Sequence, residues 1–246
     1  MMNIKKFNRT EYKGILIGMI LGDGGVYDGN RKNAFFQMHH SLKQKEYADK
    51  KAEILKRLTE VNILEDTFGI RYRTRRHPIY TELRKRFYYD GRKTVESHLM
   101  KLLSLEGLAY WYFDDGCMVD GVLKQRIMIA TNNFNLAEHE LMAYWLSKKF
   151  NLHFEPKKKG NYWCLKINKK DTEKMVEMIR PYVSECMKYK LDYKKIHNNA
   201  RELICKGCNN SFLGENRDRI FCSKSCQAKF QNNFHLQNRT REIVKI

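Results

Sequence analysis

Proline is nearly absent, three residues in 246, and Ser/Gly-rich stretches are as scarce, so nothing resembles a flexible spacer. Long apolar runs are missing too. The longest, residues 14–21, is far below the roughly 20 residues needed to cross a bilayer, which argues against a membrane protein. Lysines follow Met1-Met2-Asn3 within two residues and no cleavable apolar segment appears, so an intracellular protein is expected. Acid is the third shortage. Against 28 Asp plus Glu stand 47 Lys plus Arg, a formal charge of +19, and so basic a chain attracts polyanions, above all nucleic acid.

Seven cysteines in a reducing compartment do not make a disulfide framework. Cys117, Cys164 and Cys186 are scattered and read as small apolar core residues. The other four form two close pairs, Cys205/Cys208 and Cys222/Cys226, with 13 residues between them. Each pair can place two thiolates on one tetrahedral ion, so a structural zinc with a closed shell is expected; the alternatives are four free thiols or His235 replacing one ligand. The surrounding sequence has too few apolar groups to fold unaided, and the metal would serve as its core.

Two segments end alike: Leu16-Ile17-Gly18-Met19-Ile20-Leu21-Gly22-Asp23-Gly24 and Leu108-Ala109-Tyr110-Trp111-Tyr112-Phe113-Asp114-Asp115-Gly116. Each is an apolar helix delivering a carboxylate and stopped by glycine. Around each copy the order of elements repeats: helix, strand, helix, strand pair, helix. In the first half the strands are residues 34–40, 70–76 and 79–88, the last two very basic, and helices cover residues 11–21 and 43–58. In the second, helices cover residues 104–113, 136–150 and 171–184, with strands at 125–131, 153–158 and 162–167. The fold class is therefore α+β, two pseudo-symmetric halves (1–100 and 101–193) and a small zinc-binding tail (194–246).

Gly14, Gly18 and Gly22 recur every four residues and so face one side, where another backbone can approach; Tyr110 on the second helix would fill the hollow. Side-by-side packing brings Asp23 and Asp115 together. Two carboxylates that close call for cations between them, and near phosphates the expected ion is Mg2+, in sites about 3.5 to 4 Å apart for a two-metal mechanism. Asp114 points about 100 degrees away from Asp115 on the helix and reads as a support, while the Gly22 carbonyl, at the matching place, could reach a metal.

Both nonapeptides resemble the LAGLIDADG motif of homing endonucleases, and the second is similar to that of the single-chain, two-motif branch. Lys93-Thr94, Pro181-Tyr182 and Met187-Lys188-Tyr189-Lys190-Leu191 extend the likeness over roughly residues 12 to 193. The resemblance implies a monomeric endonuclease of mobile elements (phage, bacterial or organellar) cutting a long, asymmetric double-stranded DNA site. It implies Asp23 and Asp115 as metal-binding catalytic acids, with Gly22 and Asp114 beside them, and Lys93 and Lys190 as basic residues near the scissile phosphates.

DNA reading would fall to strand faces, where alternate side chains share a side. Candidates are Gln37, His39, Arg71, Arg73, Arg75, Arg84 and Arg86 in the first half, and Arg126 and Lys166 in the second. Lys157, Lys158 and Lys159 would form a phosphate clamp. Arg217 and Arg219 would extend the footprint from the tail, although docking to a protein or stabilising the C-terminus suits the tail as well. An intron RNA maturase, a DNA-binding regulator or a nickase on the same fold remain as alternatives. Loss of either acid would favour the regulator, and both are present.

Overall fold

The computed structural model describes residues 8–119, 125–191, 201–214 and 219–231. These divide into a larger unit holding residues 8–119 and 125–191 and a smaller one holding the rest.

The larger unit starts with α1 (Arg9–Leu21), whose first turn is capped by the Asn8 carboxamide oxygen accepting from the Thr10 and Glu11 amides. Strands β1 (Gly25–Tyr27) and β2 (Phe35–His40), helix α2 (Lys45–Lys56) and strands β3 (Val61–Asp66) and β4 (Gly69–Thr74) follow. Then come α3 (Pro78–Phe87), the short pair β5 (Tyr88–Tyr89) and β6 (Arg92–Lys93), and α4 (Ser97–Leu102). The second motif forms α5 (Leu105–Asp115), capped by Ser104, and leads into β7 (Gly116–Val119), β8 (Arg126–Ala130), α6 (Leu136–Phe150), β9 (Phe154–Lys159), β10 (Tyr162–Ile167) and α7 (Lys169–Ile179).

The two sheets have one topology. Both are antiparallel, ordered β1-β2-β4-β3 and β7-β8-β10-β9, and Gly25 pairs with Gln37 as Cys117 pairs with Met128. Since Gly25 lies two residues past Asp23 and Cys117 two past Asp115, this register makes Thr131 the counterpart of His40.

Between the sheets α1 packs on α5. A β-carbon added at Gly18 would lie 1.8 Å from the Gly107 carbonyl oxygen, and one at Gly14 would lie 2.4 Å from that of Leu102, so the backbones touch where no side chain fits. The expected filler, Tyr110, is not what meets these glycines. Gly107 does; Tyr110 is buried beside Tyr47, with ring centroids 5.9 Å apart. Trp111, Tyr112 and Phe113 are likewise fully buried, and each such aromatic contributes about 3 kcal/mol to the core.

Two further expectations are corrected, and an edge strand is added to them. Residues 79–88 are not a strand: Ile79, Leu83 and Phe87 are buried at helical spacing, Pro78 opens the helix and His77 Nδ1 caps it by accepting from the Ile79 amide. An unforeseen edge strand, β3, exposes both faces and so lacks the alternation that marks strands. The helix expected to reach residue 184 stops at Ile179 and continues as a 3-10 turn through Pro181, whose ring nitrogen has no hydrogen to donate.

In the smaller unit β11 (Arg201–Ile204) pairs antiparallel with β12 (Ser211–Gly214), and residues 224–231 are helical. His235 and Arg217 lie outside the described residues. Among those described, no helix is long and apolar enough to cross a membrane.

Candidate active site

Both α1 and α5 end in glycine followed or preceded by acid, and their packing sets Asp23, Asp114 and Asp115 in one neighbourhood. Asp23 is about half exposed, while the Asp114 side chain is fully buried. Burial pushes the Asp115 carboxyl up to about 7, helped by the charges of Asp23 and Asp114. Burial and then Asp114 push Asp23 up as well, against the opposing pull of Lys51, Lys190 and Lys93. Burial dominates both shifts, and the nearby lysines offset it only in part.

Two lysines stand over the helix ends in matching fashion. Lys93 Nζ donates to the Ile20 carbonyl at 2.6 Å and to that of Gly24 at 3.2 Å, with the Gly22 carbonyl at 3.5 Å. Lys190 Nζ donates to the Asp114 carbonyl at 2.9 Å, and the Lys190 carbonyl accepts from the Tyr112 hydroxyl at 2.6 Å. Burial lowers both ammonium pKa values, opposed by the three acids. An ion on the Gly22 carbonyl would have Lys93 as its immediate rival.

The Asp114 carboxylate is committed to protein groups. It accepts from Lys51 Nζ at 3.0 and 2.9 Å, from the Tyr47 hydroxyl at 2.7 Å, and from the Asp23 amide at 3.1 Å. Lys51, fully buried, also lies 3.3 Å from His40 Nε2. His40 is 2% exposed, its Nδ1 is 3.8 Å from Asp23 Oδ2, and burial followed by the Lys51 charge lowers its pKa to about 4. Neither Tyr47, His40 nor Lys51 was anticipated. The available signal was a lysine inside the apolar stripe of α2, among Tyr47, Ala48, Ala52 and Leu55.

On the outer face of the first sheet Gln37 pairs with Arg73 and His39 with Arg71. Arg73 also lies 3.9 Å over the Phe35 ring. Arg75 sits past the strand end with Glu60 at 2.8 Å. Arg84 and Arg86 leave the proposed strand face altogether, because α3 is a helix: Arg84 pairs with Asp28 at 2.6 Å and Arg86 with Glu96 at 2.7 Å. In the second sheet Arg126, Met128 and Ala130 share a face, with Lys166 opposite Met128. The three clamp lysines split. Lys157 and Lys159 lie on that face opposite Cys164 and Tyr162, whereas Lys158 pairs with Trp163 and points to the other side.

In the smaller unit the ligand atoms of Cys205, Cys208, Cys222 and Cys226 all lie within 4.8 Å of one another. The Cys208–Cys222 and Cys222–Cys226 sulfurs are 3.7 and 3.4 Å apart. Tetrahedral Zn–S bonds of about 2.3 Å require sulfurs roughly 3.8 Å apart, so the donor set fits. Cys205 Sγ accepts from the Cys222 and Gly207 amides, and despite burial these bonds bring its thiol down to about 6. Arg219 turns inward, donating to the Phe221 and Cys222 carbonyls.

A duplicated α+β body joined through two acid-ending helices is thus the class of fold present. The chain belongs to the LAGLIDADG DNA endonuclease family, whose model matches residues 13–175. It is 29% identical over 193 residues to a probable intron-encoded endonuclease of Wickerhamomyces canadensis, covering 72% of this chain and 81% of that one. A cytochrome b mRNA maturase of Debaryomyces hansenii is 30% identical over 124 residues, covering 50% of this chain and 46% of the maturase. The chain thus spans under half of that relative's length. Among solved structures, the homing endonuclease I-WcaI bound to its DNA recognition sequence matches with a TM-score of 0.66 at 24% identity, over 76% of this chain and 88% of that one.

Proposed function

We propose that the chain is a site-specific DNA endonuclease of a mobile genetic element, acting as a monomer on both strands of a long duplex site. The convergence of Asp23 and Asp115 at the ends of α1 and α5, beneath Lys93 and Lys190, carries this reading. Asp23 and Asp115 would hold Mg2+ or a similar divalent ion, which supplies positive charge to the scissile phosphate and an activated water. The raised carboxyl pKa values fit such a site, because each carboxylate gains a partner on binding. Lys93 and Lys190 hold the helix ends together and stand where charge develops on phosphate oxygens. Gln37, His39, Arg71 and Arg73 face base edges from the first sheet; Arg126, Lys157, Lys159 and Lys166 track phosphates from the second.

The smaller unit, on this reading, is a zinc module that adds flanking DNA contacts. Purified protein should carry one zinc per chain, reduced in Cys205→Ser; a zinc-free wild type overturns the assignment.

The test of the whole is a cleavage selection on a randomised duplex library in Mg2+. Recovery of one long asymmetric site cut in both strands is expected, with no cutting in chelator. Similarity to a maturase gives a second reading, in which intron RNA is the partner. Tighter binding to structured intron RNA than to duplex, without cleavage, would favour it.

A further inference from the structure

His40 lies beside Asp23, and the proposed chemistry leaves it unused. Its ring is buried against Tyr47, with centroids 5.4 Å apart in an edge arrangement, so it has a fixed orientation. Its Nδ1 is fully buried and has no hydrogen-bond partner. An orphaned buried nitrogen of this kind costs stability unless it works on something. Gln44 gives its NH2 group to Met187 Sδ at 3.8 Å and turns its carboxamide oxygen toward the ring, favouring a ring N–H without closing a full hydrogen bond to Nδ1. Asp23 Oδ2, 3.8 Å from Nδ1, is just beyond hydrogen-bond reach.

Which nitrogen carries the proton follows from the other side of the ring. Lys51 has three hydrogens and no acceptor; two are directed to Asp114, and Nε2 of His40 lies 3.3 Å from the same ammonium. An ammonium can only donate, so Nε2 must accept, and the neutral ring then carries its hydrogen on Nδ1. Nδ1–H is therefore a donor facing a carboxylate.

We propose that His40 is a positioning residue for Asp23: the Asp114–Lys51 pair fixes its tautomer, and Nδ1–H orients the Asp23 carboxylate by a small closure onto Oδ2, leaving its other oxygen uncommitted. This rests on the endonuclease reading of Asp23 above. The device is one-sided. At the matching register position the second half has Thr131, whose hydroxyl is 2.6 Å from His139, and the place of Asp114 is taken in the first motif by Gly22. The Asp23 side is therefore held by a chain of groups that the Asp115 side lacks, and its loss should separate the cutting of the two strands.

Two measurements test it on the full chain. Nitrogen NMR of histidine-labelled wild-type protein, with the His40 signal assigned by its disappearance in His40→Gln, should show Nδ1 protonated and Nε2 bare. Lys51→Met should redistribute the proton. A ring protonated on Nε2 in the wild type overturns the proposal, whatever the cleavage result. In single-turnover cleavage of end-labelled duplex, His40→Leu should slow one strand about 10- to 100-fold, with unchanged DNA affinity and accumulation of nicked product. His40→Gln, which keeps an N–H donor, should restore most of the rate. Equal slowing of both strands, equal loss in the Leu and Gln variants, or no slowing would each overturn the positioning role. A wild type that binds DNA but never cuts it would remove the endonuclease reading while leaving the tautomer result standing.

Discussion

The two halves of the larger unit have one topology and one register, yet the buried groups beneath their acids differ: His40 and Lys51 under Asp23, and Thr131 with His139 at the matching place in the second half. Below Asp23 lie His40, Tyr47 and Lys51, tied to Asp114. At the counterpart of His40 in the second half is Thr131, bonded to His139, which is also buried. The outer faces differ as well: Gln37, His39, Arg71 and Arg73 on the first sheet, against Arg126, Met128, Ala130 and Lys166 on the second. Shared backbone geometry sets where acids and strands go. It leaves the surroundings of each acid free to diverge.

The largest test of this inequality is replacement of each acid. Asp23→Asn and Asp115→Asn should each lower double-strand cleavage by about three orders of magnitude, the several kcal/mol a metal contributes, with binding retained. Strand-resolved gels should show different residual nicking for the two variants; identical patterns would mean that the halves act alike. Next in size is Lys51→Met, which leaves Asp114 buried without a counter-charge and should destabilise the fold by about 3–5 kcal/mol in urea. The double variant Lys51→Met/Asp114→Leu should recover much of that loss, and failure to recover would show that the pair is not coupled.

The pH dependence probes the other side. Asp115 sits near 7 against an ordinary 3.8, so the folded chain keeps a proton that the unfolded chain gives up between those values. Its stabilising effect is full below pH 4 and is lost as pH rises through 7. In metal-free buffer the melting temperature should fall across that window, less steeply in Asp115→Asn, and Mg2+ at pH 8 should restore it in wild type only. The smallest effect contrasts the sheet faces. Arg73→Ala should cost about 1–3 kcal/mol and relax specificity, whereas Lys157→Ala should weaken binding to all sequences and flatten the salt dependence.

Much of the frame was legible because it rests on periodicity. The acid-ending helices, the strands expected at 153–158 and 162–167, and strand β2 follow from apolar spacing and turn residues. Residues 79–88 misled because Arg84, Lys85 and Arg86 mask a buried stripe of Ile79, Leu83 and Phe87. Strand β3 has no buried face to reveal it. Lys51 was missed for a related reason: lysine on a charged helix reads as solvent-facing, and only its distant partner Asp114 makes burial affordable, a pairing 63 residues apart that local pattern cannot express.

The Lys51–Asp114 pair also bears on how such a chain can recombine. Its cation comes from one half and its anion from the other, so neither half can substitute for its neighbour. A chimera of two first halves would set Gly22 against Gly22 and bury two lysines without an anion; two second halves would bury two aspartates without a cation. Exchange between related genes would therefore preserve a working body only where donor and acceptor bring opposite members of the pair, which makes this contact a compatibility code written into the seam.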